Sequence, residues 1–322
     1  MSKEKFQRFW EKFGTLCILL LMFVAFAIAT PIVKDGKQYF LTQNNMIQVL
    51  LQSIVYMLLA FGEFFAILLA GIDLSVGSVA CFTGVVIAKL ALAGVPSVIC
   101  VFVGLLGAMA MGTINGLLIN ALDLHPFVVT LGTNTIYRGI SLVITGGNPV
   151  FNLPQWVKKM ASYIGPIPIP VILAAILAVI LVFFTTRTVA GRNLYALGGN
   201  KMSAWYSGID TKKYTLLAHI LASLLAGIGG TVMLARVGAA EPTAGDGYET
   251  YAIASCIIGG TSFFGGKGRT VGVVLGGITI GTIFNGLNIL GVSSFWQKIV
   301  MGALIIGSVA LEKAVSNTAA RS

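Results

Sequence analysis

The chain has 322 residues, 57% of them hydrophobic and 10% charged, with a mean hydropathy of +0.91 and a net charge of +10. In soluble domains about a quarter of the residues are charged, so this composition excludes a water-soluble fold and, with it, a soluble basic domain for nucleic acid. Residues 90–122 hold no charge at all, and 13–33, 38–62, 160–186, 214–235 and 270–297 are uncharged or nearly so. Amphipathic helices of a soluble core would break such runs with their polar faces. A bilayer needs about 20 apolar residues per helix, so an all-α protein with about ten transmembrane helices in one membrane domain, 1–322, is expected.

Taken in chain order, the first element follows Lys3, Lys5, Arg8 and Lys12. Ala27-Ile28-Ala29 resembles a signal cleavage site, but the apolar run is longer than a signal core and more spans follow, which favours an uncleaved helix at 14–33. Further spans are expected at 46–70, 75–93, 97–121, 126–145, 168–186, 214–236, 250–264, 270–290 and 294–312. With the N-terminus inside, Lys3, Lys5, Arg8, Lys12, Arg187, Arg192, Lys201, Lys212, Lys213, Lys267, Arg269, Lys313 and Arg321 fall on the cytoplasmic side. Lys34, Lys37, Lys158 and Lys159 fall outside. This asymmetry matches the positive-inside rule and puts both termini in the cytoplasm. Residues 146–167 form an external loop with a short interfacial helix around Trp156, and 187–213 form the longest cytoplasmic loop. The 39 glycines suit helices packed backbone to backbone. Cys17, Cys81, Cys100 and Cys256 all lie in apolar stretches without C-x-x-C spacing, which reads as filler, with no metal site or disulfide framework.

Several local signals stand out. In Gly198-Gly199-Asn200-Lys201-Met202-Ser203-Ala204-Trp205-Tyr206-Ser207-Gly208, Asn200 is a good N-cap and Gly208 a good left-handed stop. A two-turn helix between them is either a docking element for a cytoplasmic partner or an ordinary helical connection. Gly71-Ile72-Asp73-Leu74-Ser75-Val76-Gly77 interrupts two apolar helices with a carboxylate; Asp73 either caps the next helix or belongs to a transport path. Glu63 and Arg138 lie inside predicted spans, where charge must face the protein interior. They either pair with each other or line the route. His125 reads as a surface residue at a turn. Gly259 to Arg269 mimics a phosphate loop, but Thr261 and Gly268 stand where a Walker A requires glycine and a hydroxyl. Asn115-Gly116-Leu117 and Asn285-Gly286-Leu287 fall on helices of opposite direction, as in an inverted repeat. No H-E-x-x-H or G-x-S-x-G is present, so an enzyme is not expected.

Ala70-Gly71-Ile72-Asp73-Leu74-Ser75-Val76-Gly77-Ser78, Phe127-Val128-Val129-Thr130-Leu131-Gly132-Thr133 with Arg138-Gly139, Ala196 to Asn200, Glu241 to Gly245 with Gly247-Tyr248-Glu249, Ile258 to Gly268, and Asn285 to Val292 together resemble the permease subunits of bacterial ABC importers for ribose and related monosaccharides. The similarity runs over nearly the whole chain. It implies a homodimeric or heterodimeric pore in the bacterial inner membrane, resembling the vitamin B12 type permeases, with two inverted halves. It also implies a cytoplasmic ABC ATPase, which uses ATP and Mg while this chain binds no cofactor, and a periplasmic sugar-binding protein. The resemblance makes Gly198, Gly199, Asn200, Lys201, Ala204, Ser207 and Gly208 the ATPase-docking candidates. Glu63, Asp73, Asn115, Arg138, Glu249 and Asn285 remain as candidates for the path or the fold. Glu249-Thr250-Tyr251, Gly62-Glu63-Phe64-Phe65 and Leu124-His125-Pro126 look more like the D-allose branch than the ribose branch. Two rivals stand beside this reading: a proton-coupled secondary transporter using Glu63, Asp73 and Arg138, and an ABC permease for a nucleoside or branched-chain amino acid.

Overall fold

The computed structural model describes residues 3–319, with side chains described for 13–310. The basic residues Lys3, Lys5, Arg8, Lys12, Lys313 and Arg321 lie outside the described side chains. The elements in order are α1 (Lys3–Val33), α2 (Gln43–Leu68), α3 (Val76–Leu92), α4 (Ser97–Leu122), α5 (Pro126–Thr145), α6 (Gln155–Lys159), β1 (Tyr163–Ile164), β2 (Ile167–Pro168), α7 (Ile169–Arg187), α8 (Val189–Gly199), α9 (Lys201–Tyr206), α10 (Thr211–Val237), α11 (Tyr248–Ile258), α12 (Thr270–Ile289) and α13 (Ser294–Ala319). All ten expected apolar helices are present. Local chemistry sets their ends. The Thr42 side chain accepts the Asn45 N–H, the Asp210 carboxylate accepts the Lys213 N–H at 3.0 Å, and α5 and α10 stop at Gly146 and Gly238 in the left-handed region.

Seven of these helices are long and apolar enough to cross a membrane: α1, α2, α4, α5, α7, α10 and α12. The helix expected over 250–264 is corrected. Its 11-residue counterpart, α11, ends at Ile258, and at 1.5 Å per residue it spans about half of a ~30 Å core. Gly259-Gly260 ends it, with Gly260 at φ +81°. Helix α8 and the β1–β2 hairpin were not expected at all. In the 146–168 connection, α6 forms where expected, anchored by the fully buried Val157, with Trp156 packed against the same cluster.

The core is built around α2 and α10. In α2 almost every residue from Leu51 to Leu68 is buried. The two helices approach closely because Gly62 lies against the Ala222 carbonyl, where any Cβ would collide. Helix α2 packs on α10, α12 and α11, and α10 packs on α2, α4 and α3. Helix α3 packs on α4 and α5, as α11 does on α12 and α13. Exchanging α2 with α10, α3 with α11, α4 with α12 and α5 with α13 converts one set of contacts into the other. The inverted halves inferred from the Asn-Gly-Leu echo are therefore visible in the packing. The exchange is not complete among the described residues: α4 packs on α5 and α2 on α3 without equal counterparts, α1 packs on α12, and α7 packs on α2 and α12.

The loops gather at two ends. At one, Gly266 donates to the Leu68 carbonyl, the Tyr195 hydroxyl to the Gly268 carbonyl and Asn120 to the Lys212 carbonyl. This is the α9 end. At the other, the α6 end, Val150 pairs with Ala240, and Asn45 with Asn285.

Candidate functional site

The break between α2 and α3 is a polar joint buried in an apolar interior. Leaving α2, the chain turns at Ala70 (φ +57°) and climbs inward along 69–75. Asp73, fully buried, accepts the Ser75 N–H at 2.9 Å and the Ser75 hydroxyl, and its second oxygen meets His219 Nδ1 of α10 at 3.0 Å. Glu63 Oε1 of α2 accepts the Asp73 N–H at 3.1 Å. The Ser75 hydroxyl accepts from Asn115 of α4 at 2.8 Å, and Asn115 Oδ1 accepts the Tyr137 hydroxyl of α5 at 3.0 Å. Thr130 Oγ1 accepts the Leu74 N–H and donates to the Ile72 carbonyl. Four helices, α2, α4, α5 and α10, are thus tied to one short coil. In a low-dielectric interior every lost partner in such a network is costly, because the abandoned group stays buried. Asp73 does accept a backbone N–H, as the capping reading expected, but from Ser75, the residue before α3, and it also anchors α10.

A second break answers it from the opposite end. Residues 238–247 leave α10 at the α6 end and descend until Gly245 meets Gly77, the second residue of α3. The Gly245 carbonyl lies so close that a Cβ at Gly77 has no room. The Glu249 carboxylate, in the first turn of α11, packs against the same glycine, and its Oε2 is buried without a hydrogen-bond partner. Two interrupted helices therefore begin beside each other in the interior, one from each half. Arg138 donates to the Ala244 and Pro242 carbonyls and holds the descending coil in place. Of the two alternatives for Glu63 and Arg138, the mutual pair does not form. Glu63 reaches Asp73 instead, and its Oε2 has no partner. The only contact between an acidic and a basic side chain among the described residues is Asp73–His219.

The other candidates fall elsewhere. Asn285 of α12 exchanges hydrogen bonds with Asn45 of α2 at 3.0 and 2.9 Å, far from the joint. His125 is exposed and caps α5. At the α9 end, the Asn200 side chain accepts the Ser203 N–H at 2.8 Å, and Gly208 takes φ +81°, as the pattern required. Gly199, Asn200, Lys201, Ser207 and Gly208 are exposed, whereas Gly198 and Ala204 are buried in the chain itself. Gly198 is wedged against the Leu68 carbonyl and the Gly266 amide, so it seats the loop. Met202, Trp205 and Tyr206 give α9 an apolar exposed face.

Two features escaped the sequence reading. His219 is the only Asp, Glu, Lys, Arg or His in 214–235, and such a group inside a span calls for a named partner; that signal was available. The ring cluster of Tyr56, Tyr248, Tyr251 and Phe284, with centroids 4.7–5.6 Å apart, joins residues distant in sequence and left no local trace.

Buried halves that meet at interrupted helices are a transporter architecture, and comparison with known proteins agrees. The chain belongs to the family described as branched-chain amino acid transport system / permease component, whose model matches residues 45–309. Among its relatives, the D-allose transport system permease protein AlsC of Escherichia coli (strain K12) is 54% identical over 97% of this chain and 94% of the relative. The ribose import permease protein RbsC of Bacillus subtilis (strain 168) is 38% identical over 94% and 93%. The galactose/methyl galactoside import permease protein MglC of Escherichia coli (strain K12) is 32% identical over 97% of each. No solved structure matches the chain. The family resemblance read from the motifs, including its leaning to the allose branch, is borne out.

Proposed function

We propose that this chain is the membrane pore of an ATP-driven importer that carries a monosaccharide, with D-allose favoured over ribose. The observation that carries this reading is 54% identity to a D-allose permease along nearly the full length, against 38% for a ribose permease. Engine and delivery lie in partners: a cytoplasmic ABC ATPase that hydrolyses ATP, a periplasmic sugar-binding protein, and a second permease subunit. ATP binding closes the ATPase pair, which pushes on α9; the halves rock about the joint where α3 and α11 begin, and the path opens toward the binding protein. Hydrolysis resets it. The exposed apolar face of α9, set on a loop wedged against the end of α2, suits such a push.

With Lys89, Arg138, Arg236 and Lys298 left uncounted because they lie within or at the ends of spans, the α9 end carries Arg187, Arg192, Lys201, Lys212, Lys213, Lys267 and Arg269 against Asp123 and Asp210, and the α6 end carries Lys34, Lys37, Lys158 and Lys159 against Asp35, Glu241 and Asp246. This bias supports placing α9 in the cytoplasm. The proton-relay rival is weakened by geometry, since Arg138 faces backbone carbonyls of 238–247 and not the Glu63–Asp73 pair. The test is reconstitution with the ATPase and the binding protein in liposomes. ATP-dependent uptake of D-allose, absent with a pH gradient alone, is expected. Uptake on the gradient alone, or of leucine in place of sugar, overturns the reading.

A further inference from the structure

Sugar passing through a permease needs a surface that recognises it, and the fold contains one that the import reading does not assign. A cleft of about 520 Å³ opens at the α6 end between the start of α2, the end of α10 and the start of α11. Its size lies within the ~300–1,000 Å³ of small-molecule sites. The polar lining comes from Gln48, Gln52, Tyr56, Arg236 and Tyr248. These are amides and phenols, which both donate and accept, and one guanidinium fork. Arg236 is in no ion pair among the described residues. The apolar part of the wall includes Met233 and Val237.

The aromatic wall is held rigidly. The Tyr56 ring packs edge-on against Tyr248 and Tyr251 at 5.4 Å each, and Tyr251 packs on Phe284 at 4.7 Å. Tyr248 is the first residue of α11, so the wall stands where the descending coil becomes the interrupted helix. A smaller cleft of about 200 Å³ beside that coil shares Met233, Val237 and Tyr248. Motion of the coil would therefore reshape both clefts together.

We infer that this cleft is a low-affinity station for a neutral monosaccharide ring within a single permease subunit. A pyranose presents hydroxyls round its edge and C–H groups on its faces. Amides, phenols and a guanidinium beside packed aromatic rings match both, and nothing in the lining demands a charged cargo. Weak binding is what a path requires, since a cargo held tightly is not released. The inference rests on the sugar-import reading and places recognition in this chain as well as in a delivery protein.

The test uses the full chain in nanodiscs, without partners, with binding of D-allose, L-leucine and inorganic phosphate followed by saturation-transfer NMR. Saturable D-allose binding is expected, with Arg236→Gln and Gln48→Ala, both at exposed positions, each weakening it about fivefold, as loss of one ordinary hydrogen bond implies. Tyr248→Phe keeps the ring packing and reports on the hydroxyl alone. Absence of saturable D-allose binding, binding unchanged in the Arg236 and Gln48 variants, or displacement by phosphate or leucine overturns the station. Partner-driven uptake of D-allose, assayed in parallel, separates the outcomes. If uptake persists while binding fails, the station alone is wrong; if uptake fails as well, the import reading falls too.

Discussion

His219 and Asp73 show how much depends on single partners in an apolar interior. Each is buried, and each satisfies the other at 3.0 Å. Removing one member of such a pair leaves the other uncompensated, at a cost of roughly 3–5 kcal/mol. His219→Ala is therefore expected to lower the thermal unfolding midpoint of the purified protein sharply, and His219→Ala with Asp73→Ala to recover part of the loss. An unchanged midpoint in the single variant means the pair contributes nothing. Asn45 and Asn285 form a simpler case, with no charge and two mutual hydrogen bonds. Each alanine variant should cost about 1–2 kcal/mol, and the double variant less than the sum, because it strands no partner. Additive losses in a denaturation cycle would mean the two amides act independently. Sequence marked Asp73 because a carboxylate interrupts two apolar helices, and Asn285 through the Asn-Gly-Leu echo and the family motif. Their partners came only with the structure, since Asp73 and His219 are 146 positions apart.

At the scale of elements, α9 and the two interrupted helices behave differently under substitution. Gly199 has open space where a Cβ would stand, while Gly198 has the Leu68 carbonyl in that place. Gly198→Val should therefore damage the fold, by about 1–3 kcal/mol or more, as overpacking does. Bulky residues at Gly199 and Asn200 should leave the packing of the loop intact, apart from about 1 kcal/mol for the lost cap. If α9 docks the ATPase, that double variant keeps ATP hydrolysis in the assembled complex and loses sugar uptake. Normal uptake removes α9 from the coupling route. The cap and the stop of α9 were legible because both are local chemistry. The shortness of α11 was not. Its apolar composition continues past Ile258, and it ends there because Gly259 and Gly260 turn the chain back against the start of α12, where Gly272 lies against Gly259.

For the whole molecule, the charge bias between the two ends predicts an orientation. In intact cells a membrane-impermeant maleimide should label Lys37→Cys at once and Lys201→Cys only after permeabilisation; the reverse order inverts the topology. Residue order alone determined that this is a many-span helical membrane protein, where most of its long apolar helices lie, and which family it joins. Hydropathy is additive along a chain, and the family motifs are contiguous. What tertiary structure decided is how the halves meet. The α3 and α11 starts touch through Gly77 and Gly245, Arg138 turns away from Glu63 to hold a coil of the other half, and Tyr56 and Tyr248, backed by the rings of Tyr251 and Phe284, line one wall of a cleft. Those choices depend on which groups, distant in sequence, remain to satisfy one another once water is excluded, and no local window of residues carries that information.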